Sequence, residues 1–218
     1  MSTVKQQKLS IAILSTLGLS LGAASFSAQA IEQGDMFMRG TITNVAPNDD
    51  STAFTDPSNI APNTFPKVDD STNLGITFVY MMSNNLGFEV LAALPFEHDV
   101  TVDGMGKVGS TKQLPPTFSV QYYFNPQEKF RPYVGAGLNY TTFFNDKSIA
   151  ALGGDLELDD SFGLAVQVGL DYDINEKWFI NADVRYISIE TTATILAVGE
   201  SDVDINPTVI SVGVGYKF

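Results

Sequence analysis

Phe162-Gly163-Leu164-Ala165-Val166-Gln167-Val168-Gly169-Leu170-Asp171-Tyr172 alternates without a break between bulky apolar residues and small or polar ones. A period of two puts the six bulky residues on one face of an extended strand and Gly163, Ala165, Gln167, Gly169 and Asp171 on the other. The same pattern recurs in Phe118, Val120, Tyr122 and Phe124, in Val134, Ala136, Leu138 and Tyr140, in Ile180, Ala182, Val184 and Tyr186, and in Ile210, Val212, Val214, Tyr216 and Phe218. Less regular alternation adds strands at about 35–43, 74–82 and 87–94. Eight strands result, and the chain reads as all-β.

The connections between them alternate in length. Ser83-Asn84-Asn85, Asn125 to Lys129 and Asp173 to Lys177 are tight and polar, whereas 44–73, 95–114, 145–160 and 191–206 are long. Short turns at one end and long loops at the other describe an up-and-down transmembrane β-barrel, with the turns in the periplasm and the loops outside. An even strand count then places both termini in the periplasm. No apolar run after Ile31 approaches the length of a spanning helix, so a membrane protein made of this chain crosses with a closed barrel. The rival is a soluble eight-stranded barrel with its apolar face turned inward around a ligand. Side-chain size decides against it: eight strands leave room inside only for modest side chains, and the bulky face is too large for that lumen. Aromatics also recur at strand ends on that face, as membrane-interface girdles do.

Lys5 and Lys8 precede an apolar run from Leu9 to Leu21 and small residues closing on Ala28-Gln29-Ala30, so residues 1–30 read as a cleaved secretory signal peptide and 31–218 as one barrel domain. The full chain of 218 residues carries a formal charge of −13; without the leader, ten cations face 25 anions. That acidity argues against nucleic-acid binding. The absence of cysteine excludes disulfides and thiolate metal sites. At the other end, the pattern Ser211, Gly213, Tyr216 and terminal Phe218 resembles the C-terminal signal that the barrel assembly machinery of Gram-negative bacteria reads on its outer-membrane clients.

Once faces and strand directions are assigned, each inward residue acquires a height. Toward the periplasmic half fall Arg39, Glu89, Gln121, Asp171, Asp183, Arg185 and Lys217, in which three cations face three anions and pairing is expected because unpaired buried charge is costly. Toward the outer half fall Leu91, Ala93, Phe143, Ile187 and Ile189. The interior is expected to be an apolar funnel above a polar floor: a hydrophobic molecule enters from outside, cannot cross the charges, and leaves sideways through the wall. Pro115 and Pro116 are candidates for that exit, since proline removes a ladder donor, and Gly135, Gly137, Gly163 and Gly169 for weak points in the wall.

Leu114-Pro115-Pro116-Thr117, Arg131-Pro132-Tyr133-Val134-Gly135-Ala136-Gly137-Leu138-Asn139-Tyr140-Thr141-Thr142-Phe143-Phe144 and Leu158-Asp159-Asp160-Ser161-Phe162-Gly163-Leu164-Ala165-Val166-Gln167-Val168-Gly169 resemble, in order and spacing, the OmpW family of small outer-membrane proteins. The resemblance implies an eight-stranded barrel with a hydrophobic interior channel. The family's alkane-importing members of the AlkL type imply transport of small hydrophobic compounds.

Enzyme chemistry and cofactors find little support. His98, between Glu97 and Asp99 in the second long loop, is the only histidine; with no serine nucleophile specified around it, it reads as a solvated loop residue. One imidazole with two carboxylates is also a poor metal site. Asp202-Val203-Asp204-Ile205-Asn206 opens like a calcium loop but lacks the glycine and the closing glutamate. The acidic loops suit divalent-cation bridges to lipopolysaccharide, or ordinary solvation. An envelope-stabilising or surface-receptor barrel, with loops contacting phage or toxin, is the alternative to transport.

Overall fold

The structure is a computed structural model, and it describes residues 30–48, 50–53, 55, 65–102, 106–148, 156–195 and 199–218. The leader expected over 1–30 lies almost wholly outside the described residues. The alternating segments do form strands. In chain order they are β1 (Met36–Ala46), β2 (Asp50–Ser51), β3 (Pro66–Val68), β4 (Ser71–Met81), β5 (Leu86–Ala93), β6 (Phe96–Val102), β7 (Gly106–Leu114), β8 (Thr117–Tyr123), β9 (Phe130–Ser148), β10 (Leu156–Leu158), β11 (Ser161–Asp173), β12 (Trp178–Ile187), β13 (Glu190–Ile195), β14 (Gly199–Asp204) and β15 (Thr208–Lys217).

Eight of these close the wall in the order β1, β4, β5, β8, β9, β11, β12, β15, each antiparallel to its neighbours. Closure is made by β15 against β1, in register from Phe37↔Lys217 to Ala46↔Thr208. A closed antiparallel ladder pairs every wall strand on both sides, which is what lipid demands of a spanning backbone. The alternation then sorts side chains. Leu164, Val166 and Val168 are 66%, 53% and 57% exposed on the outer surface, while Gln167 and Asp171, between and beyond them, are buried in the lumen.

One end is closed by the segments Met82–Asn85, Phe124–Lys129 and Ile174–Lys177; we call it the turn end. A rim of aromatic pairs marks its outer surface, with Tyr122 edge-on to Phe124 at 5.2 Å between ring centroids, Trp178 to Tyr216 at 5.0 Å and Tyr216 to Phe218 at 5.6 Å. Rings of this kind suit the boundary between hydrocarbon and head groups.

At the opposite, loop end the long connections prove to be largely strand. β6 and β7 extend the wall beside the far half of β9, with β3 on the outer edge of β6, while β10, β13, β14 and β2 form a second, four-stranded sheet. Their alternation is masked in the sequence by mixed polarity: along β6, Glu97 and Asp99 point out while Phe96, His98 and Val100 point in.

The candidate ligand channel and its floor

The lumen is layered, and each layer follows from which residues occupy the inward positions at that height. Lowest, at the turn end, Phe37, Val79, Met81, Tyr123, Tyr133 and Phe179 pack with Ile31 into an apolar plug. Phe37 lies edge-on to Phe179 at 5.6 Å and to Tyr123 at 6.3 Å. The guanidinium of Arg39 sits 4.9 Å from the Tyr133 ring centroid and 5.2 Å from that of Phe37, close enough for cation–π attraction.

Above the plug lies a buried charge network. Arg39 donates to both oxygens of Asp171, at 3.1 and 2.8 Å, and to Glu89 at 3.1 Å. Arg185 reaches Glu89 Oε1 at 2.8 Å and Gln167 Oε1 at 2.6 Å. Glu89 also accepts from Gln121 at 2.7 Å and from Gln167 at 3.0 Å, so one carboxylate from β5 ties together β1, β8, β11 and β12. Asp171 accepts further from Asn181 at 2.9 Å. A separate group lies nearer the turn end, where Asp173 pairs with Arg131 at 2.5 Å and Lys217 at 2.7 Å. Arg39, Glu89, Arg131, Asp171 and Arg185 are all no more than 1% exposed, so these pairs are fully desolvated and stand only because the hydrogen bonds are made.

Arg39, Glu89, Gln121, Asp171 and Arg185, expected at the floor, therefore meet in one network, and Lys217 belongs to the neighbouring group. Asp183 is buried but takes part in no ion pair among the described residues, and its Oδ1 has no hydrogen-bond partner. Its neighbour on the same face, Arg185, crosses the lumen to Glu89 instead. The network also enlists Gln167, Tyr123 and Asn181, and the neighbouring group enlists Arg131 and Asp173. Parity marks Gln167, Tyr123 and Asn181 as inward, and the turn readings at 125–129 and 173–177 concealed Arg131 and Asp173, which sit just inside or beside those turns.

Higher still, Thr41, Thr43, Ser211, Thr117, Asn139 and Thr141 form a belt of small polar groups bonded to one another and to backbone, as Thr43 to Ser211 at 3.1 Å and Asn139 to Thr117 at 3.0 Å show. The loop end above is apolar. Ile187, Ile189, Phe143, Phe96 and Val209 are buried there in one cluster, with Ala93 packed against it. Two cavities remain within it. The lower, of about 20 Å³, is lined by Leu91, Ala93, Phe96, Ile187 and Ile189, with Arg185 at its inner end. The upper, also of about 20 Å³, is lined by Phe143, Val100, Leu156 and Ile205 together with His98. Gln113 borders both. Each is narrow, with room for about one water molecule. Two narrow apolar cavities thus lie at the loop end, and not an open funnel.

The wall is interrupted beside the lower cavity. Pairing of β5 with β8 ends at Leu91↔Thr117, and pairing of β6 with β7 starts at Phe96↔Gln113. Between them, Ala92 to Pro95 face Leu114 to Pro116 without paired residues. Pro115 supplies no N–H there and itself lines the lower cavity. The glycines do not weaken the wall elsewhere. A Cβ on Gly169 would lie 2.3 Å from the Tyr133 ring and one on Gly163 would lie 1.9 Å from the Ser188 carbonyl oxygen, so these glycines admit close neighbours rather than leave openings.

His98 is not solvated. It is 1% exposed, its Nδ1 donates to the Asp69 carbonyl oxygen at 2.6 Å, and its Nε2 then accepts from Gln113 Nε2 at 2.8 Å. Burial lowers its pKa below the usual 6.5. Period-two geometry sends Glu97 and Asp99 to the opposite face, where they pair with Lys112 at 3.5 Å and Lys107 at 2.6 Å. The three side chains cannot converge on a metal. Asp202 and Asp204 likewise lie on a strand, β14, and not on a calcium loop. Among the described residues no cluster of three or more His, Asp or Glu could hold a metal ion.

A closed eight-stranded barrel with an apolar outer band, aromatic rim and polar, charged lumen belongs to the class of bacterial outer-membrane β-barrels. The family model for the OmpW family matches residues 32–218, and the chain belongs to that family, in the outer membrane of Gram-negative bacteria. Outer membrane protein W of Vibrio cholerae is 48% identical over 92% of this chain and 97% of its own length. Outer membrane protein AlkL of Ectopseudomonas oleovorans is 32% identical over 72% of this chain and 70% of its own. The crystal structure of OprG from Pseudomonas aeruginosa matches at a TM-score of 0.82 and 40% identity, covering 88% of this chain and 99% of that one.

Proposed function

We propose that this barrel takes small hydrophobic molecules through the outer membrane, accepting them at the loop end and releasing them sideways into the bilayer. The observation that carries this reading is the position of the lower cavity: apolar on its sides, closed below by charge, and bordered by the interruption between β5–β6 and β7–β8. An apolar solute finds matching walls in Leu91, Ala93, Ile187 and Ile189, with Phe143 in the cavity above. It meets a prohibitive desolvation problem at Arg39, Glu89 and Asp171, where every partner is already engaged. The wall gap is then the remaining route, and it leads to hydrocarbon. The resemblance to AlkL-type members supports the same substrate class. The chain acts as a channel and not as an enzyme, with no cofactor required.

In this reading the turn end and both termini lie in the periplasm, as short turns do in bacterial outer-membrane barrels. β15, with Ser211 and Gly213 facing in and Tyr216 and Phe218 facing out, is what the assembly machinery engages. The test is the initial uptake of a labelled long-chain alkane by cells lacking the protein, against cells restored with it at matched outer-membrane levels. Faster uptake is expected on restoration, falling at least tenfold toward the deletion level when Phe143, Ile187 and Ile189 are each replaced by Asn. Equal rates in the deleted and restored cells would sink the reading.

The narrowness of both cavities favours a second reading, an envelope-stabilising or receptor barrel whose acidic loops meet lipopolysaccharide, phage or toxin. Loop exchange would abolish that role and leave uptake intact.

A further inference from the structure

Within the import reading, on which this step rests for its cargo, the polar atoms facing the lower cavity narrow the class of molecule. Arg185 stands at the inner end of that cavity, 1% exposed. Its Nη2 is engaged by Glu89 and Gln167. Its Nε and Nη1 are buried with no hydrogen-bond partner. Guanidinium N–H groups without acceptors are costly to keep out of water, far more so than unpaired neutral groups. Among the described residues, Arg185 is the one charged side chain that lines the cavity; Arg39, the other arginine bound to Glu89, spends its Nε, Nη1 and Nη2 on Asp171, Glu89 and Tyr123.

We propose that the inner end of the lower cavity is a head-group subsite for a neutral oxygen acceptor, so that the cargo held best is an aliphatic carbonyl compound and not a bare hydrocarbon. Ile187 and Ile189 occupy the next inward positions after Arg185, so an alkyl chain rising from the head group runs along them. A hydrocarbon in the same place leaves the N–H groups unanswered. A single water can answer them, and a carbonyl oxygen that displaces it gains the hydrogen bond while its chain lies against Leu91, Ile187 and Ile189, whose side chains part to admit it.

Charge count selects the neutral head over a carboxylate. The buried charged residues of the barrel are Arg39, Arg131, Arg185 and Lys217 against Glu89, Asp171, Asp173 and Asp183. The two signs already match, and a carboxylate placed beside Glu89 would add an uncompensated negative charge in a low-dielectric interior.

The experiment uses the full barrel in nanodiscs of one lipid, with tritiated methyl decyl ketone, dodecane and dodecanoate, each measured as retention above empty discs. Wild-type protein is expected to hold the ketone about tenfold more tightly than dodecane, the value of one hydrogen bond to a charged donor. Arg185→Lys keeps a cation for Glu89 but removes the free Nε and Nη1 donors; its ketone-to-dodecane ratio should fall to about two or less. Gel mobility of the unheated protein reports that the variant barrel is folded. A wild-type ratio near one, a ratio that Arg185→Lys leaves unchanged, or tighter retention of dodecanoate than of the ketone overturns the subsite. Dodecane uptake measured in parallel separates the two ideas: uptake without head-group preference removes the subsite alone, and preference without uptake removes the import reading alone.

Discussion

Glu89 shows how much one inward residue can organise. It accepts hydrogen bonds from Arg39, Arg185, Gln121 and Gln167, and it is 1% exposed. Replacing Glu89 by Gln keeps the shape but leaves Arg185 with no anionic partner, and breaking a buried pair in this way costs about 3–5 kcal/mol. Glu97 on β6 offers the contrast, since it pairs with Lys112 at 3.5 Å while 57% exposed, and the same Glu-to-Gln change there should cost less than 1 kcal/mol. Urea unfolding of the two variants in micelles would check the difference; equal losses would mean that the network is not what holds the floor. Parity along each strand disclosed which residues point inward, so Arg39, Glu89, Asp171 and Arg185 could be placed together from the sequence. Their partners could not, because whether Arg185 turns to Asp183 beside it or to Glu89 across the lumen depends on distances between strands.

At the scale of the element, the hairpin that runs up through β5 and β6 and returns through β7 and β8 differs from the one formed by β12 to β15. In the latter, Ile187 N–H to Pro207 O at 3.2 Å and Ile205 N–H to Ile189 O at 2.9 Å carry the ladder across its kink. In the former, no pairing joins Ala92–Pro95 to Leu114–Pro116. The proposed lateral exit lies at this gap. Replacing Pro115 and Pro116 together by Ala restores two N–H donors and should lower protein-dependent alkane uptake by about fivefold or more, while ligand retention in nanodiscs persists. Unchanged uptake would place the exit elsewhere. The two prolines flagged this site in the sequence, but the loop strands β6, β7, β13 and β14 went unread, since their apolar positions are fewer and their outward faces carry charge where the protein leaves the membrane.

For the whole molecule, the outward apolar band is the feature that membrane residence requires. Val166 lies in the middle of β11 and is 53% exposed on that surface. Arginine at this position should destabilise the barrel by about 2–4 kcal/mol in a bilayer. The same change at Ser188, beyond the end of β12 on the loop-end side and assigned to the interface, should cost about 1 kcal/mol or less. Folding titrations into phosphatidylcholine vesicles would measure both. Similar penalties at the two sites would contradict the assigned depth.

The sequence by itself determined the eight strands of the wall, their faces, the alternation of short and long connections, and membership of a membrane-spanning class. All of these follow from side-chain period and size, which are local properties of a chain. Tertiary structure decided what the lumen contains at each height. It placed an aromatic plug beneath the charges, drew Arg131 and Asp173 into a second ion-pair group, buried His98, and left two narrow cavities where an open funnel was expected. Those outcomes depend on how eight strands stagger around a common axis and on how strand extensions fold over the loop end. Such distances are set by closure of the whole barrel and are written in no single segment.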